Sequence, residues 1–392
     1  MFRLKTGTVD ESTTLDCATP ARMRVMRPML LFLLLLFFGL PAQAQWWQVQ
    51  RSGIDANLRG VSVAYKQNVK RAHASVVWAS GSKGVILKSI DEGKTWHRLQ
   101  VAGGDALDFR GIVAFSEKTA FVMSSGEGKK SRIYKTTDGG ETWKLQYTDD
   151  RKEFFLDTIA CVSETHCFAL GDPIGGKFLL LTTTDGEHWN PFSSGNMPAA
   201  LPGEGAFAAS NTCLLLAGQE IFFGTGGPAA RVFHSRDSGR NWTVSETPVA
   251  HGNASSGIFS LALWRGKDVV VVGGDYHDPK GASSVAAYSL DEIQPWQLSK
   301  QQPGGFRSGV ASNSLSIFAV GPNGEDFSED GGVHWKHTDS LNLNAVAILD
   351  IWNGWAVGPN GTIARFLNHN AAEIRYRRPH RRQPSSAYAI AD

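Results

Sequence analysis

Three arginines lie in closely similar local sequences and are the first candidates for chemistry. Arg59 stands in Leu-Arg-Gly-Val, Arg110 in Phe-Arg-Gly-Ile and Arg307 in Phe-Arg-Ser-Gly-Val. If these segments are copies of one repeat, the guanidinium groups converge, and their planar, paired donors suit a carboxylate or another anion. The alternative is internal pairing of each arginine with a backbone carbonyl or a carboxylate such as Asp157, which stands in Phe-Leu-Asp-Thr-Ile. Both interpretations are open at this point.

Acidic residues offer a second chemistry, the hydrolysis of glycosidic bonds, which needs two carboxylates roughly 5 to 10 Å apart. The candidates are Asp157, Asp172, Glu204 and Asp275. Carboxylates beside glycines more commonly form turns. We therefore predict a binding protein without catalytic residues. The alternative is a glycoside hydrolase that uses Asp157, Glu204 or Asp275.

Aromatic residues in long, glycine-rich loops are further candidates for ligand contact. Phe222 and Phe223 lie in one such loop, and Tyr276 and His277 lie in another. Because loops on a rigid scaffold commonly carry binding residues, these side chains are expected to form a rim that contacts a partner or stacks on a sugar. The alternative is that the loops only cover an exposed edge. His277 and its acidic neighbour do not make a metal site alone, and no nucleotide-binding glycine motif or Cys-x-x-Cys is present, so no metal or cofactor is predicted.

A repeated pattern, Ser/Thr-x-Asp-x-Gly-x-Thr-Trp, supplies the elements that must position these residues. It occurs in four good copies and two degraded ones, whose aspartates are Asp91, Asp138, Asp185, Asp237, Asp291 and Asp330. The Asp is expected to accept hydrogen bonds from backbone N–H groups of its own turn. The Gly supplies a positive φ, and the Trp packs between neighbouring sheets. Each copy is therefore predicted to be a structural hairpin turn.

The spacing of the copies predicts an all-β fold, a seven-bladed β-propeller of four-stranded blades over residues 45–368. The tryptophans that end the six copies are 39 to 54 residues apart, as in propeller repeats. A seventh blade, in residues 343–366, has only three predicted strands. Residues 46–50 have the form of its missing strand. Pairing them with residues 363–366 would close the ring and remove its open edges.

The two ends of the chain differ from the repeat region. Residues 1–44 contain arginines, an apolar run over residues 29–40 and small residues up to Ala44, a pattern typical of a leader and cleaved signal peptide. The mature protein is therefore predicted to be periplasmic or secreted. Residues 369–392 are basic and polar and are predicted to be disordered. Contact of this tail with an anionic membrane surface is an open alternative to a solvated tail.

Cys161 and Cys167 flank a short polar turn between two apolar runs. In an exported protein this arrangement predicts a disulfide across a β-hairpin. The alternative is two buried thiols. Cys213, in a separate apolar run, is predicted to be a free, buried thiol.

The strand turns and the Asp-Gly-Gly-Glu-Thr-Trp segment at Asp138 resemble those of the bacterial Asp-box (BNR) repeat propellers, which belong to the sialidase-like superfamily. Within these, residues 46–367 resemble the photosystem II stability and assembly factor group. The resemblance implies an exported, non-enzymatic scaffold, expected to be a monomer. Its central channel mouth would bind a protein segment or another anionic ligand, glycans included. The expected contact residues are Arg59, Arg110, Asp157, Tyr276, His277 and Arg307. A net charge of +2 without a basic stripe argues against nucleic acid as a partner.

Overall fold

A computed structural model describes residues 47–66, 75–290 and 295–367. The predicted leader (residues 1–44), Asp291 and the predicted tail (residues 369–392) lie outside these ranges. The described residues form 29 strands and one short 3-10 helix, Gly128–Lys130. They contain no helix with the length and hydropathy of a membrane span.

The strands fall into seven antiparallel sheets, here called blades and numbered along the chain. Blade 1 is β2 (Leu58–Tyr65), β3 (Ser75–Gly81), β4 (Ile86–Ser89) and β5 (His97–Leu99). Blade 2 is β6 (Asp108–Ala114), β7 (Ala120–Ser125), β8 (Arg132–Thr136) and β9 (Lys144–Thr148). Blade 3 is β10 (Leu156–Cys161), β11 (Cys167–Ile174), β12 (Lys177–Thr183) and β13 (Asn190–Pro191).

Blade 4 is β14 (Leu214–Ala217), β15 (Glu220–Gly224), β17 (Arg231–Ser235) and β18 (Thr243–Glu246). Blade 5 is β19 (Asn253–Trp264), β20 (Asp268–Asp275), β21 (Ala286–Ser289) and β22 (Gln297–Leu298), with β16 (Gly226–Gly227) added at the edge of β19. Blade 6 is β23 (Gly309–Ser312), β24 (Ile317–Gly321), β25 (Gly324–Ser328) and β26 (Lys336–Asp339). Blade 7 is β27 (Ala345–Ile348), β28 (Gly354–Val357), β29 (Thr362–Phe366) and β1 (Trp47–Arg51).

The blades form a closed ring, and the predicted seven-bladed propeller is confirmed. The first strands of successive blades contact one another from β2 through β6, β10, β14, β19, β23 and β27 back to β2. Strand β1 pairs antiparallel with β29, from Trp47 opposite Phe366 to Arg51 opposite Thr362. The fourth strand of blade 7 therefore comes from the N-terminal side of the described chain, as the sequence predicted. Blade 7 thus has four strands like the other blades, with β27 innermost and β1 outermost.

Apolar side chains fill the spaces between neighbouring blades. In β3, Val77 and Ala79 pack with Trp355 of blade 7, whereas Val76 and Trp78 pack toward blade 2. Successive side chains of a strand point to opposite faces. A strand in the middle of a blade is therefore buried on both faces, and every residue of β3 is buried.

The repeated turns join the third and fourth strands of their blades through the same hydrogen bonds. In blade 1, Asp91 Oδ1 accepts from the backbone N–H of Thr95 at 2.9 Å, and Ser89 Oγ accepts from that of Gly93 at 2.8 Å. The aspartate contact recurs from Thr142 to Asp138 (3.0 Å), from Asn241 to Asp237 (2.8 Å) and from His334 to Asp330 (3.0 Å). Asp185, in the copy that is one residue shorter, accepts from His188 at 2.8 Å. These bonds hold the turns of blades 1, 2, 3, 4 and 6 and lie apart from the candidate site.

Candidate binding site at the centre of the ring

Irregular pairing in four inner strands changes the direction of one side chain in each strand. The register of the first strand shifts at Arg59 in blade 1, at Arg110 in blade 2, at Asp157 in blade 3 and at Phe259 in blade 5. A β-bulge leaves its extra residue unpaired and turns the side chain away from the regular alternation. All four side chains line one cavity, which is called the mouth cavity below.

The mouth cavity has a volume of about 500 Å³ and receives one residue from the inner strand, or the residue just before it, in six of the seven blades. These residues are Arg59, Arg110, Asp157, Phe259, Ser308 and Asn344. Blade 4 contributes through the segment that precedes β14, residues 206–209. The cavity is therefore formed by the whole ring, at its axis.

The two arginines in the mouth cavity differ in their partners. Arg110 donates from Nε to Asp108 Oδ2 at 2.8 Å and from Nη1 to the Ala208 carbonyl at 3.0 Å. The Nε of Arg59 is buried and has no hydrogen-bond partner among the described residues. Burial lowers the pKa of Arg59, Arg110 lowers it further, and Asp108 raises it. Arg59 is thus a partly buried cation beside a second cation, the setting in which an anion is most stabilising.

Two carboxyl groups on blade 3 line the same cavity. Burial raises the pKa of Asp157 well above its usual range, and Asp172 raises it further, while Arg110 lowers it. Burial also raises the pKa of Asp172, against the hydrogen bond that its Oδ1 accepts from the Ala206 N–H. Both shifts favour the neutral acid, so these groups cancel less of the arginine charge than two ionised carboxylates would.

The wall opposite the charged residues is aromatic. Phe207 and Phe259 stack with ring centroids 3.8 Å apart and an interplanar angle of 10°. Phe306 packs edge-on against Phe259 at 4.7 Å, and Tyr276 at 6.1 Å. The mouth cavity therefore joins a cationic side on blades 1 and 2 to an apolar side on blades 4 to 6. That combination suits a ligand with one anionic group and an apolar or planar portion.

Residues 206–211 cross from blade 4 toward blades 2 and 3, and are called the crossing segment. Its Asn211 donates to the Ile112 carbonyl of blade 2 at 3.3 Å and accepts from the Ile159 N–H of blade 3 at 2.9 Å. Arg110 and Asp172 bind its backbone at Ala208 and Ala206. The two mouth residues thus also fix the segment that carries Phe207.

Arg307 does not reach the mouth cavity, although its sequence resembles that of Arg59 and Arg110. Its backbone N–H bonds to the Gly273 carbonyl of the preceding blade (3.0 Å), just as that of Leu58 bonds to Gly358 (3.1 Å). Arg307 therefore occupies the position of the apolar Leu58, and Ser308 occupies that of Arg59. The cause is one extra residue in Phe-Arg-Ser-Gly-Val.

The side chain of Arg307 is completely buried and internally paired. It donates from Nε to Asp326 Oδ2 at 2.7 Å, and its Nη2 also contacts this carboxylate. Its Nη1 bonds to Asn323 Oδ1 at 2.9 Å. The internal pairing kept open as the alternative for the three arginines therefore describes Arg307.

Two of the acidic candidates, Glu204 and Asp275, do not lie near Asp157. Glu204 is buried, and its Oε1 accepts from Arg231 Nε at 2.8 Å and from Thr225 Oγ1 at 2.6 Å. Asp275, at the end of β20, accepts from the His277 N–H at 2.9 Å and does not line the mouth cavity. Of the four acidic candidates, Asp157 and Asp172 line the mouth cavity, and Glu204 and Asp275 do not.

Of the four ring-bearing residues that the sequence analysis placed in loops, only Tyr276 lines the mouth cavity. His277 packs against the Tyr276 ring at a centroid distance of 4.4 Å but is not part of the cavity wall. Phe222 and Phe223, expected in a loop, lie in strand β15 and are buried between blades. Their run of apolar residues is a strand flanked by glycines, which the sequence interpretation took for a loop.

The remaining candidates concern cysteines and metals. Cys161 and Cys167 face each other across β10 and β11 and form a disulfide. Cys213 is a buried free thiol, and burial raises its pKa beyond the usual range of a thiol. In the described part of the chain, no group of three or more His, Cys, Asp or Glu side chains is arranged to hold a metal ion.

Three aromatic residues and two polar residues of the mouth cavity were missed from the sequence: Phe207, Phe259, Phe306, Ser308 and Asn344. Phe259 and Asn344 each follow a buried apolar residue, Ile258 and Leu343, at the repeat position of Arg59. An alignment of the inner strands on that apolar residue, rather than on the Phe-Arg dipeptide, identifies Phe259 and Asn344. Phe207 lies in a connection between blades that has no counterpart elsewhere in the repeat, and nothing in the pattern marks it.

Comparison with solved structures identifies relatives of this architecture. The YCF48 structure described as bound to D1 peptide aligns with a TM-score of 0.57 and 13% identity over 82% of this chain and 97% of that chain. YCF48 from Cyanidioschyzon merolae aligns with a TM-score of 0.56 and 14% identity over 82% and 98%. The chain therefore shares the propeller fold of these proteins.

A GH74 enzyme from Niastella koreensis has the same fold, with a TM-score of 0.55, 15% identity, and coverage of 82% of this chain and 53% of the enzyme. No family model and no curated protein sequence matches the chain. At these identities the likeness establishes the fold of this propeller and leaves its ligand to be argued from the site.

Proposed function

We propose that this protein is an exported, non-enzymatic scaffold, similar to photosystem II assembly factors, that binds a protein segment or another anionic ligand in the mouth cavity. The observation that carries the proposal is the pair Arg59 and Arg110 in one cavity with a stacked aromatic wall. A carboxylate bound at Arg59 would complete the hydrogen bonding of a guanidinium that has no carboxylate partner among the described residues. The YCF48 relative described with a D1 peptide supports a protein segment as the ligand class.

Peptide selection tests this proposal. Random 12-residue peptides displayed on phage are selected on the immobilised chain Gln45–Asp392 and counter-selected on its Arg59→Met variant. We expect enrichment of peptides that combine an acidic group with an apolar or aromatic side chain, and that bind wild type but not the variant. Methionine keeps most of the apolar volume of arginine and removes its charge. If no enriched peptide distinguishes the two proteins, the mouth cavity is not the binding site and the proposal fails.

A glycoside hydrolase is the second candidate function. Two observations favour it: Asp157 and Asp172 line one cavity with aromatic side chains, and a GH74 enzyme shares the fold. A panel of glycans and aryl-glycosides tests it with wild type and the Asp157→Asn, Asp172→Asn and Asp275→Asn variants. Cleavage that disappears in the first two variants and persists in the third supports a hydrolase. The absence of cleavage by wild type across the panel contradicts it.

A further inference from the structure

A second cavity adjoins the mouth cavity and opens a path away from it. This side groove has a volume of about 290 Å³ and is lined by Asp172, Gly203, Glu204, Gly226, Gly227 and Ala254, among others. Asp172, Ala206 and Phe207 line both cavities, which therefore adjoin at these three residues. The side groove therefore extends the ligand space from the ring axis toward the outside, between blade 3 and the start of blade 5.

Four glycines are among the residues that line the side groove: Gly203, Gly205, Gly226 and Gly227. Gly205 and Gly226 pair through two hydrogen bonds, of 3.2 and 2.9 Å, and Gly226 lies opposite Gly257 of β19. Gly203 faces open space: a Cβ atom there would meet no other atom within 4 Å. Gly226 and Gly227 instead pack against the protein itself, because a Cβ atom there would meet the Phe207 ring or the Gly203 carbonyl oxygen. The open backbone at Gly203 lets another main chain approach closely at that point.

Charge differs between the two cavities. Among the described residues that line the side groove, only Asp172 and Glu204 are ionisable, and Glu204 is neutralised by its bonds to Arg231. The mouth cavity instead carries Arg59 and Arg110. A ligand that fills both has its acidic group at the arginines and presents N–H donors or a basic group to Asp172.

We infer that an extended polypeptide occupies both cavities, with an acidic group at Arg59 and its main chain passing Asp172 into the side groove. This inference rests on the proposed function and adds the course and polarity of the bound segment. A ligand confined to the mouth leaves the side groove empty, because Asp172 stands at the junction. An extended polypeptide, in which each residue adds about 3.3 Å, can reach from one cavity into the next.

The test blocks the side groove without touching the mouth. Ala254 is exposed and lines the groove, and Ala254→Trp fills it. The matched control is Ala106→Trp, at an exposed alanine that precedes the inner strand β6 and lines neither cavity. The probes are the 12-residue peptide selected through Arg59 and the three-residue peptide that retains its acidic group.

We expect Ala254→Trp to weaken the 12-residue peptide at least about tenfold, which corresponds to roughly 1.4 kcal/mol. The affinity for the three-residue peptide should stay unchanged, and Ala106→Trp should change the affinity for neither peptide. Equal binding of the long peptide to wild type and Ala254→Trp overturns the inference but not the proposed function, because the Arg59 dependence persists. Absence of any Arg59-dependent peptide overturns both.

Discussion

Arg59 and Arg110 occupy the same position on neighbouring inner strands, yet only Arg110 has a carboxylate partner, Asp108, at 2.8 Å. The bulge at each position turns both side chains into the mouth cavity, where they repel each other. Two adjacent cations with one anion between them are a poor arrangement for stability alone. They are a good arrangement for binding a second anion. Because Arg110 is already paired with Asp108 and Arg59 is not, we expect the two residues to have different roles.

Replacing Arg59 is expected to affect binding and spare the fold. Arg59→Met should weaken the selected peptide about 10- to 100-fold, because a hydrogen bond to a charged group contributes about 1.5–3 kcal/mol. The free energy of unfolding should be unchanged or slightly higher, since a partly buried cation and its repulsion with Arg110 are removed. Fluorescence anisotropy and urea titration measure the two quantities.

Arg110→Met is the comparison for that experiment. It should weaken both binding and stability, because it also removes the hydrogen bond to the Ala208 carbonyl that fixes the crossing segment. Normal binding by a clearly destabilised Arg59→Met variant would make Arg59 a framework residue.

Replacing Arg307, unlike replacing Arg59, is expected to reduce stability and spare binding. Arg307→Met leaves Asp326 as a buried carboxylate without its partner, and breaking such a pair costs about 3–5 kcal/mol. Urea titration should show this loss, while the peptide affinity of the folded protein stays at the wild-type value. Lys83→Ala, which breaks an exposed pair with Asp55, should cost less than about 1 kcal/mol. A loss of binding in a stably folded Arg307→Met variant would contradict this assignment.

The ring was predictable from the sequence because a local requirement repeats in it. Each turn needs its Asp and Gly at fixed positions, and these residues mark the blades even where the strands vary. The site was less predictable because it depends on the register between repeats. One extra residue, Ser308, moves Arg307 from the cavity into the core. Phe207 belongs to a connection specific to one blade, so no periodicity indicates it.

The carboxyl of Asp157 is expected to make stability depend on pH. Its pKa in the folded protein is raised, so its contribution to stability is full below the unfolded pKa, near 4, and is lost as pH rises toward the folded value. Asp157→Asn removes this loss while keeping the shape of the neutral acid. The variant should therefore gain stability relative to wild type as pH rises from 4 to 8, measured by urea titration at each pH.

Asp55→Asn serves as the control for the pH experiment, because Asp55 is exposed. This variant measures how far the removal of one exposed carboxylate by itself changes stability over the same pH range. A constant difference between Asp157→Asn and wild type would show instead that Asp157 is ionised in the folded protein throughout, held by the two arginines.

The disulfide is expected to stabilise blade 3 without affecting the site. It joins the far ends of β10 and β11, six residues apart in sequence, whereas Asp157 lies at the start of β10. Closing so short a loop contributes about 2 kcal/mol by restricting the unfolded chain. The Cys161→Ala/Cys167→Ala variant should lose that amount in urea titration and keep its peptide affinity. Wild type treated with dithiothreitol should behave like the variant. Alkylation of the unreduced, denatured mature chain should label Cys213 alone; labelling of all three cysteines would show that the bond does not form.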